Sequence, residues 1–353
     1  LLTHLLKGGV FVKGKWKGLL FMSLLAGAVL ATGCGGGQKS ADQGSGKQPT
    51  MGVAIYKYDD TFMTGVRDAI NKAADGKAKI EMVDSQNSQA TQNDKVDLFI
   101  SKKVNALGIN IVDRTAAGVI VDKAKNANIP VVFMNREPLP EAMNAWDKTY
   151  YVGAKAEQSG TLSGEILAEY FKKHPTKTGT VNYVLLMGEP GHQDAELRSK
   201  YAPKALTDAG FQVNEIARDF ANWDRVKGQE KMAAFIAAYG DKIDAVIANN
   251  DDMALGAIEA LKAAGYFQNG KFIPVVGVDC TAPALKSMKD GEMLGTVLND
   301  AKNQGKAVYS LMDVLARGET PNKDNVGFDI SDGKYIWVPY IKVTHDNMAD
   351  IQL

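Results

Sequence analysis

Six short apolar runs in this chain each end in Asp, Asn or His. They read A-I-Y-K-Y-D-D-T-F, reaching Asp60 and Phe62; V-V-F-M-N, reaching Asn135; and V-L-L-M-G-E-P-G-H-Q-D, reaching His192 and Asp194. The other three are V-I-A-N-N-D to Asn250, V-V-G-V-D to Asp279 and T-V-L-N-D to Asn299. Apolar runs of about four to six residues rich in Val and Ile read as strands buried on both faces. From Met51 the pattern predicts strands at 52–56, 80–83, 106–111 and 130–134, with helices at 62–74, 91–101 and 116–126 between them. After a strand at 150–153 the alternation resumes. Helices are predicted at 157–173, 194–209, 223–239 and 253–264, and strands at 181–187, 213–216, 245–248 and 274–278. Such alternation predicts parallel sheets with helices on both faces, and two series of similar length predict two lobes of α/β class. Ligands of open parallel sheets sit beyond the carboxyl ends of the strands. Six strand ends are therefore expected to present amides and carboxylates to one crevice. That set suits a polyhydroxylated, uncharged ligand better than a phosphate or a hydride carrier.

Composition changes this picture little. Of 353 residues 45% are apolar and 23% charged, which excludes a disordered chain, and the length accords with two domains. The formal charge is zero, but residues 1–33 hold Lys7, Lys13, Lys15 and Lys17 and no acid. Without them 41 − 4 = 37 basic residues face 41 acidic ones, so nothing favours a nucleic-acid partner.

The amino terminus reads as a targeting element. The lysines precede an apolar run at 18–30, followed by A-T-G-C at 31–34. The run is short for a membrane span and has the layout of a secretory signal. A Cys directly after a small residue resembles a bacterial lipobox, although Leu30 stands one position early. Cys34 is therefore expected to carry lipid; the competing reading is an ordinary signal with an incidental Cys. Residues 35–50, G-G-G-Q-K-S-A-D-Q-G-S-G-K-Q-P-T, read as a flexible tether. Cys280 is the only other cysteine, so lipidation of Cys34 leaves no disulfide and stability must come from the cores.

Candidate chemistry gathers at the strand ends. Asp60 and Phe62 lie just past the first strand, and Trp223 is expected to open a helix of the second half. The C–H faces of a pyranose are slightly positive and aromatic faces slightly negative, so one aromatic from each lobe could sandwich a sugar. Each ring taken singly reads equally as core packing. In G-E-P-G-H-Q-D-A-E-L-R, His192, Asp194 and Arg198 fall within seven residues. A polyol-binding cluster, a buried ion pair, and a metal site of His192, Asp194 and Glu196 all remain open at this point. Nucleophilic catalysis has no support. There is no G-x-S-x-G, and beyond the leader only His174, His192 and His345 remain. Neither G-x-G-x-x-G nor a complete phosphate loop G-x-x-x-x-G-K-[ST] occurs, since Lys15 and Lys271 of the two partial matches are followed by Trp16 and Phe272.

The strings Y-K-Y-D-D-T-F-M, N-D-K-V-D, A-L-G-I-N-I-V-D, G-E-P-G-H-Q-D-A-E, V-I-A-N-N-D-D-M-A-L-G-A-I-E-A-L-K and G-T-V-L-N-D-A-K-N-Q resemble, in order, those of the galactose/glucose-binding members of the type I periplasmic binding protein family. The resemblance runs from about Met51 to the carboxyl end. It implies two lobes joined by three crossings, near 153–155, 299–300 and 337–339. The first lobe would then comprise 51–153 and 300–336, the second 154–299 and 337–353, after a signal at 1–33 and a tether at 34–50. It further implies that Asp60 accepts from the sugar 4-hydroxyl in either epimer and that Phe62 and Trp223 stack on the ring. Asn135, His192, Asp194, Arg198, Asn250, Asp279 and Asn299 match the remaining polar contacts.

No catalytic residue and no cofactor is implied. The implied partners are D-glucose or D-galactose, an ABC importer permease and, for some relatives, a chemoreceptor. The expected form is a monomer held outside the cytoplasm on a membrane by Cys34. Calcium is where the chain departs from the resemblance. At 172–182, K-K-H-P-T-K-T-G-T-V-N keeps Gly179 but has His174, Thr176 and Thr178 at ligand positions, with Lys177 among them and Asp244 at the distant one. A stretch with no carboxylate cannot dehydrate a divalent cation, so no metal is expected. Competing readings are a binding protein for another sugar such as a pentose, a sugar-responsive repressor, which would need a helix-turn-helix, and a glycosidase using Asp60 and Asp194.

Overall fold

Two parallel sheets organise residues 48–352, which the computed structural model describes. The leader, Cys34 and most of the tether fall outside these residues. The first series runs β1 (Thr50–Ile55), α1 (Thr61–Ala74), β2 (Lys79–Asp84), α2 (Gln89–Ser101), β3 (Ala106–Ile109), α3 (Ala117–Ala127), β4 (Val131–Met134), α4 (Pro140–Asn144) and β5 (Thr149–Gly153). The second runs α5 (Ala156–Lys173), β6 (Thr180–Met187), α6 (Gln193–Asp208), β7 (Gln212–Phe220), α7 (Arg225–Tyr239), β8 (Ala245–Ala248), α8 (Asp251–Ala263), β9 (Val275–Val276), α9 (Ala282–Lys289) and β10 (Thr296–Leu298). The chain then returns with α10 (Ala301–Ala316), α11 (Lys323–Val326) and β11 (Tyr335–Trp337), and adds β12 (Ile341–Val343).

The first sheet has the order β11-β5-β4-β3-β1-β2, and every pair in it is parallel. Successive residues of β1 feed opposite faces, as the two-residue strand period requires. Met51, Val53 and Ile55 pack with Val66 and Ile70 of α1 and with Val308 and Leu311 of α10. Ala54 faces the other way, into a core with Phe99 of α2 and Ile120 of α3. The second sheet, β7-β6-β8-β9, is likewise parallel, and the antiparallel pair β10-β12 continues it through a bridge between Val276 and Gly295. Leu186 packs with α7 and α8 while Leu185 packs with α5 and α6. The chain passes between the two sheets after β5, between β10 and α10, and between β11 and β12.

Helices α5 and α6 approach closely because Gly160 and Gly164 face α6. A Cβ at Gly160 would lie 3.0 Å from Arg198 Cα, and one at Gly164 would lie 2.1 Å from the Ala202 carbonyl oxygen. That approach sets Arg198 against α5. Strand β7 runs four residues past the predicted end at Ile216. It is an edge strand with no fully buried position, and its register shifts opposite Tyr183 and Val184, so it carries no apolar run to read.

The loop before β6 is knotted by its own side chains. The His174 ring stacks on Tyr170 at 4.4 Å, and the Thr176 hydroxyl donates to the Thr180 carbonyl at 2.9 Å. Asp244 accepts from the backbone and side-chain amides of Asn182 at 2.8 and 3.0 Å. His174, Thr176 and Asp244 are thus each engaged with a neighbouring group of the loop or strand.

Candidate functional site

Helix capping builds the site. Where a buried strand turns into a helix, the first helical N–H groups lack partners, and Asp, Asn or a similar acceptor is favoured there. Asp60 caps α1, accepting from Met63 N at 2.7 Å; Asn250 caps α8, accepting from Met253 N at 3.0 Å. His192 caps α6, its Nδ1 accepting from Asp194 N at 3.1 Å. All three caps stand at the carboxyl ends of parallel strands and so at one end of the two sheets. Asn135, directly after β4, sits at φ 61, a left-handed conformation that Asn tolerates better than most residues.

One small cavity between the sheets is lined by Asp60, Phe62, Asn135, His192, Asp194, Arg198, Trp223, Asn250, Asp279 and Asn299. Every residue singled out from the strand ends therefore reaches it. Phe62 and Trp223 approach from different sheets, each backed by the core of its own side. Core packing and cavity lining are in this case the same residue's two faces.

Trp223 does not open α7. Asp224 is the cap, accepting from Lys227 N at 2.8 Å, and the helix begins at Arg225. Asn222 and Trp223 stand before it at φ 52 and 64, so the indole is carried by a strained turn and not by a helix face. Gly188 makes room for that ring, since a Cβ there would lie 2.1 Å from Trp223 Cζ2. Asn250 braces the same turn by donating to the Trp223 carbonyl at 3.3 Å.

Arg198 is buried and makes four bonds. It donates to Ser159 Oγ at 3.1 Å, to the Asn249 carbonyl at 2.9 Å, to Tyr340 Oη at 2.9 Å and to Asp194 Oδ2 at 3.1 Å. Asp194 and Arg198 are thus an ion pair one helical turn apart that also faces the cavity. Glu196 is exposed on another face of α6, so the helix separates it from Asp194 and His192. Among the described residues no group of three His, Cys, Asp or Glu is placed to hold a metal.

Burial raises the carboxyls of Asp60, Asp194 and Asp279 above the usual range. Burial, followed by the guanidiniums of Arg136, Arg198 and Arg114, holds His192 well below the usual imidazole range. Its ring is neutral, and since Nδ1 accepts, Nε2 carries the proton and acts as a donor. The cavity can therefore accept hydroxyl protons at several carboxylates and donate from imidazole, guanidinium and amides. It holds no nucleophile beside a base and no phosphate loop.

Residues 51–320 match the family described as "Periplasmic binding protein domain". The chain belongs to the periplasmic binding protein family. Over 307 residues it is 43% identical to the D-galactose/methyl-galactoside binding periplasmic protein of Haemophilus influenzae, covering 85% of this chain and 91% of that one. It is 29% identical to the ribose import binding protein of Bacillus subtilis, across 81% of this chain and 87% of the other. An ABC transporter solute binding protein from Bacillus halodurans C-125 with bound myo-inositol superposes with a TM-score of 0.74 at 31% identity, covering 87% of this chain and 98% of that one. The two-lobed parallel architecture is that of these proteins. They are substrate-binding proteins and not enzymes, which runs against the glycosidase reading of Asp60 and Asp194.

Two further residues of this periplasmic binding protein line the cavity, Tyr56 and Arg136. Tyr56 Oη donates to Asp60 Oδ2 at 2.5 Å, and the Arg136 guanidinium lies 3.7 Å over the Tyr56 ring. The signal was adjacent in both cases: Tyr56 precedes Asp60 in the same string, and Arg136 follows Asn135. A third, Asp251, lies beneath the site. Its carboxylate accepts from Thr281 N at 2.7 Å and from Thr296 Oγ1 at 2.6 Å, and that hydroxyl accepts from Cys280 N at 3.3 Å. These bonds hold a turn in which Asp279 and Cys280 stand at φ 116 and 56, and so they aim the Asp279 side chain.

Burial, above all other causes, pushes the Asp251 carboxyl from 3.8 up to about 7. A pKa raised on folding contributes stability that is complete below the unfolded value and is lost as pH rises through the folded one. The wild-type melting temperature is therefore expected to fall between about pH 4 and about pH 7, and Asp251→Asn, which cannot ionise, to fall less over that window. Parallel melting curves of the two proteins across the window would show that Asp251 does not titrate there.

Proposed function

We propose that this chain captures D-glucose or D-galactose by closure of its cleft and delivers the sugar to an ABC importer from a lipid anchor at Cys34. The observation that carries the proposal is the convergence of aromatic rings, neutral amides and carboxylates from both sheets on one small cavity. Three carboxylates face it, and the guanidinium of Arg198 is already committed to four partners. A sugar's hydroxyl groups satisfy such acceptors, whereas a phosphorylated sugar would meet like charge. The relative from Haemophilus influenzae supports the hexose assignment.

Sugar bound to one lobe contacts the other only when the cleft closes, so its differential affinity shifts the open–closed equilibrium. The closed form is the one a permease, and a chemoreceptor in a motile host, would recognise. Calorimetric titration with glucose, galactose, ribose, xylose and myo-inositol tests the reading. Tightest binding to the two hexoses is expected; tighter binding of ribose or myo-inositol would replace the hexose by the ligand classes named for the other relatives.

Cys34 is proposed as the mature, lipid-bearing amino terminus. Cys34→Ala should release the protein from membranes to the soluble fraction with its sugar affinity unchanged. Detection of residues 1–33 in the mature protein by mass spectrometry would refute the processing.

A further inference from the structure

Polar pairs join the two lobes at two places beside the cavity. At one of them Arg136, just past β4, meets Glu189, just past β6, with Nη2 to Oε2 at 2.9 Å. Asn87 of the first lobe donates to the other carboxylate oxygen of Glu189 at 3.2 Å. At a second place the hydroxyl of Thr61, first residue of α1, donates to Asp252 Oδ2 at 2.6 Å. Arg225 of the second lobe holds the other oxygen of Asp252 at 2.6 Å and so aims it at Thr61. Neither Glu189 nor Asp252 lines the cavity.

The setting of Arg136 makes its pair sensitive to closure. Its side chain is 5% exposed, packed over Tyr56, and donates one arm to the Val112 carbonyl at 2.8 Å. Among the described residues its one salt-bridge partner is Glu189, which belongs to the other lobe. Opening the cleft separates the charges and returns both to water, where such a pair contributes little. Closing restores it where water is scarce, in a chain of contacts that runs Glu189–Arg136–Tyr56–Asp60 to the edge of the cavity.

We propose that Glu189 and Asp252 are affinity-determining residues that act without touching the ligand: by clasping Arg136 and Thr61 they set the population of the closed form, and they scale the affinity for every sugar by a common factor. The proposal rests on the sugar-binding reading above. Interactions formed only in the closed form multiply apparent affinity whatever fills the cavity. Because they form after encounter, they slow dissociation and leave association nearly unchanged.

The test uses Glu189→Gln, which keeps an acceptor for Asn87 but removes the charge, and Thr61→Val, which removes the hydroxyl that reaches Asp252. Stopped-flow fluorescence with glucose and with galactose is expected to show the dissociation rate raised about tenfold by each variant, equally for both sugars. Association rates should stay within about twofold, and the double variant should multiply the two effects, since the two places share no partner. Dissociation rates of both single variants within twofold of wild type would overturn the proposal, and so would a loss confined to one sugar.

Spin labels on exposed Val119 of α3 and Val226 of α7 give a readout that needs no sugar. The distance distribution of ligand-free Glu189→Gln should shift toward the open form relative to wild type; identical distributions would overturn the latch. Failure of wild type to bind either sugar, with the distance shift present, would instead refute the sugar assignment alone. The ligand-free melting temperature of each variant identifies a folding defect, and in that case the variant at the other place decides.

Discussion

Trp223→Ala is expected to weaken glucose binding at least about tenfold, about 1.4 kcal/mol, with little change in the melting temperature of the ligand-free protein. The indole is placed by a strained turn, by Gly188 beneath it and by the Asn250 amide on its carbonyl. The His192 ring meets it edge-on at 5.0 Å. Truncation removes both the stacking area and the barrier to water around the His192 and Asp194 hydrogen bonds, so two losses coincide. The ring packs against the core of its lobe but is only partly buried, which is why the fold should tolerate the change. Calorimetry with glucose and thermal melting without it are the measurements. An affinity within twofold of wild type would mean that the aromatic pair is packing and no more.

Asp60 is the second site with a large expected effect, and its geometry dictates which substitution to use. Oδ1 caps α1 and Oδ2 accepts from Tyr56. Alanine would remove the cap as well, at a cost of about 1 kcal/mol in stability. Asparagine keeps an acceptor for Met63 N and removes the charge. Hydrogen bonds to charged groups contribute about 1.5–3 kcal/mol, so Asp60→Asn should weaken binding roughly 10- to 100-fold. Glucose and galactose should lose alike, because one carboxylate oxygen can accept from either orientation of the 4-hydroxyl. Parallel titrations decide; a loss for one epimer more than tenfold larger than for the other would remove Asp60 from that position. Asp60→Ala should additionally lower the melting temperature, which separates the capping role from the binding one.

Much of the site could be read from the chain because capping is local. A buried strand must stop, the following helix needs an acceptor for its first N–H groups, and the residue that supplies it stands where strands end. Asp60, His192 and Asn250 follow from that rule, and the i, i+4 spacing of Asp194 and Arg198 follows from the helical period. The same locality explains where the structure departs from the pattern. Trp223 preceded a clear helical pattern, but Asp224 is the better cap, and the indole falls in the turn outside the helix. Strand β7 lies at a sheet edge, where neither face is buried well enough to demand an apolar run.

By itself the sequence determined the α/β class, the order of elements, the polar residues at the strand ends and, through its ordered motifs, the family. All of these depend on a residue and its near neighbours. Only the tertiary structure decided that Tyr340 holds Arg198 across 142 positions, that Glu189 answers Arg136 across the cleft, and that Asp251 anchors the turn carrying Asp279. Propensity and periodicity decay within a few turns of chain, whereas these partners are set by how sheets and helices pack, and packing is a property of the whole fold.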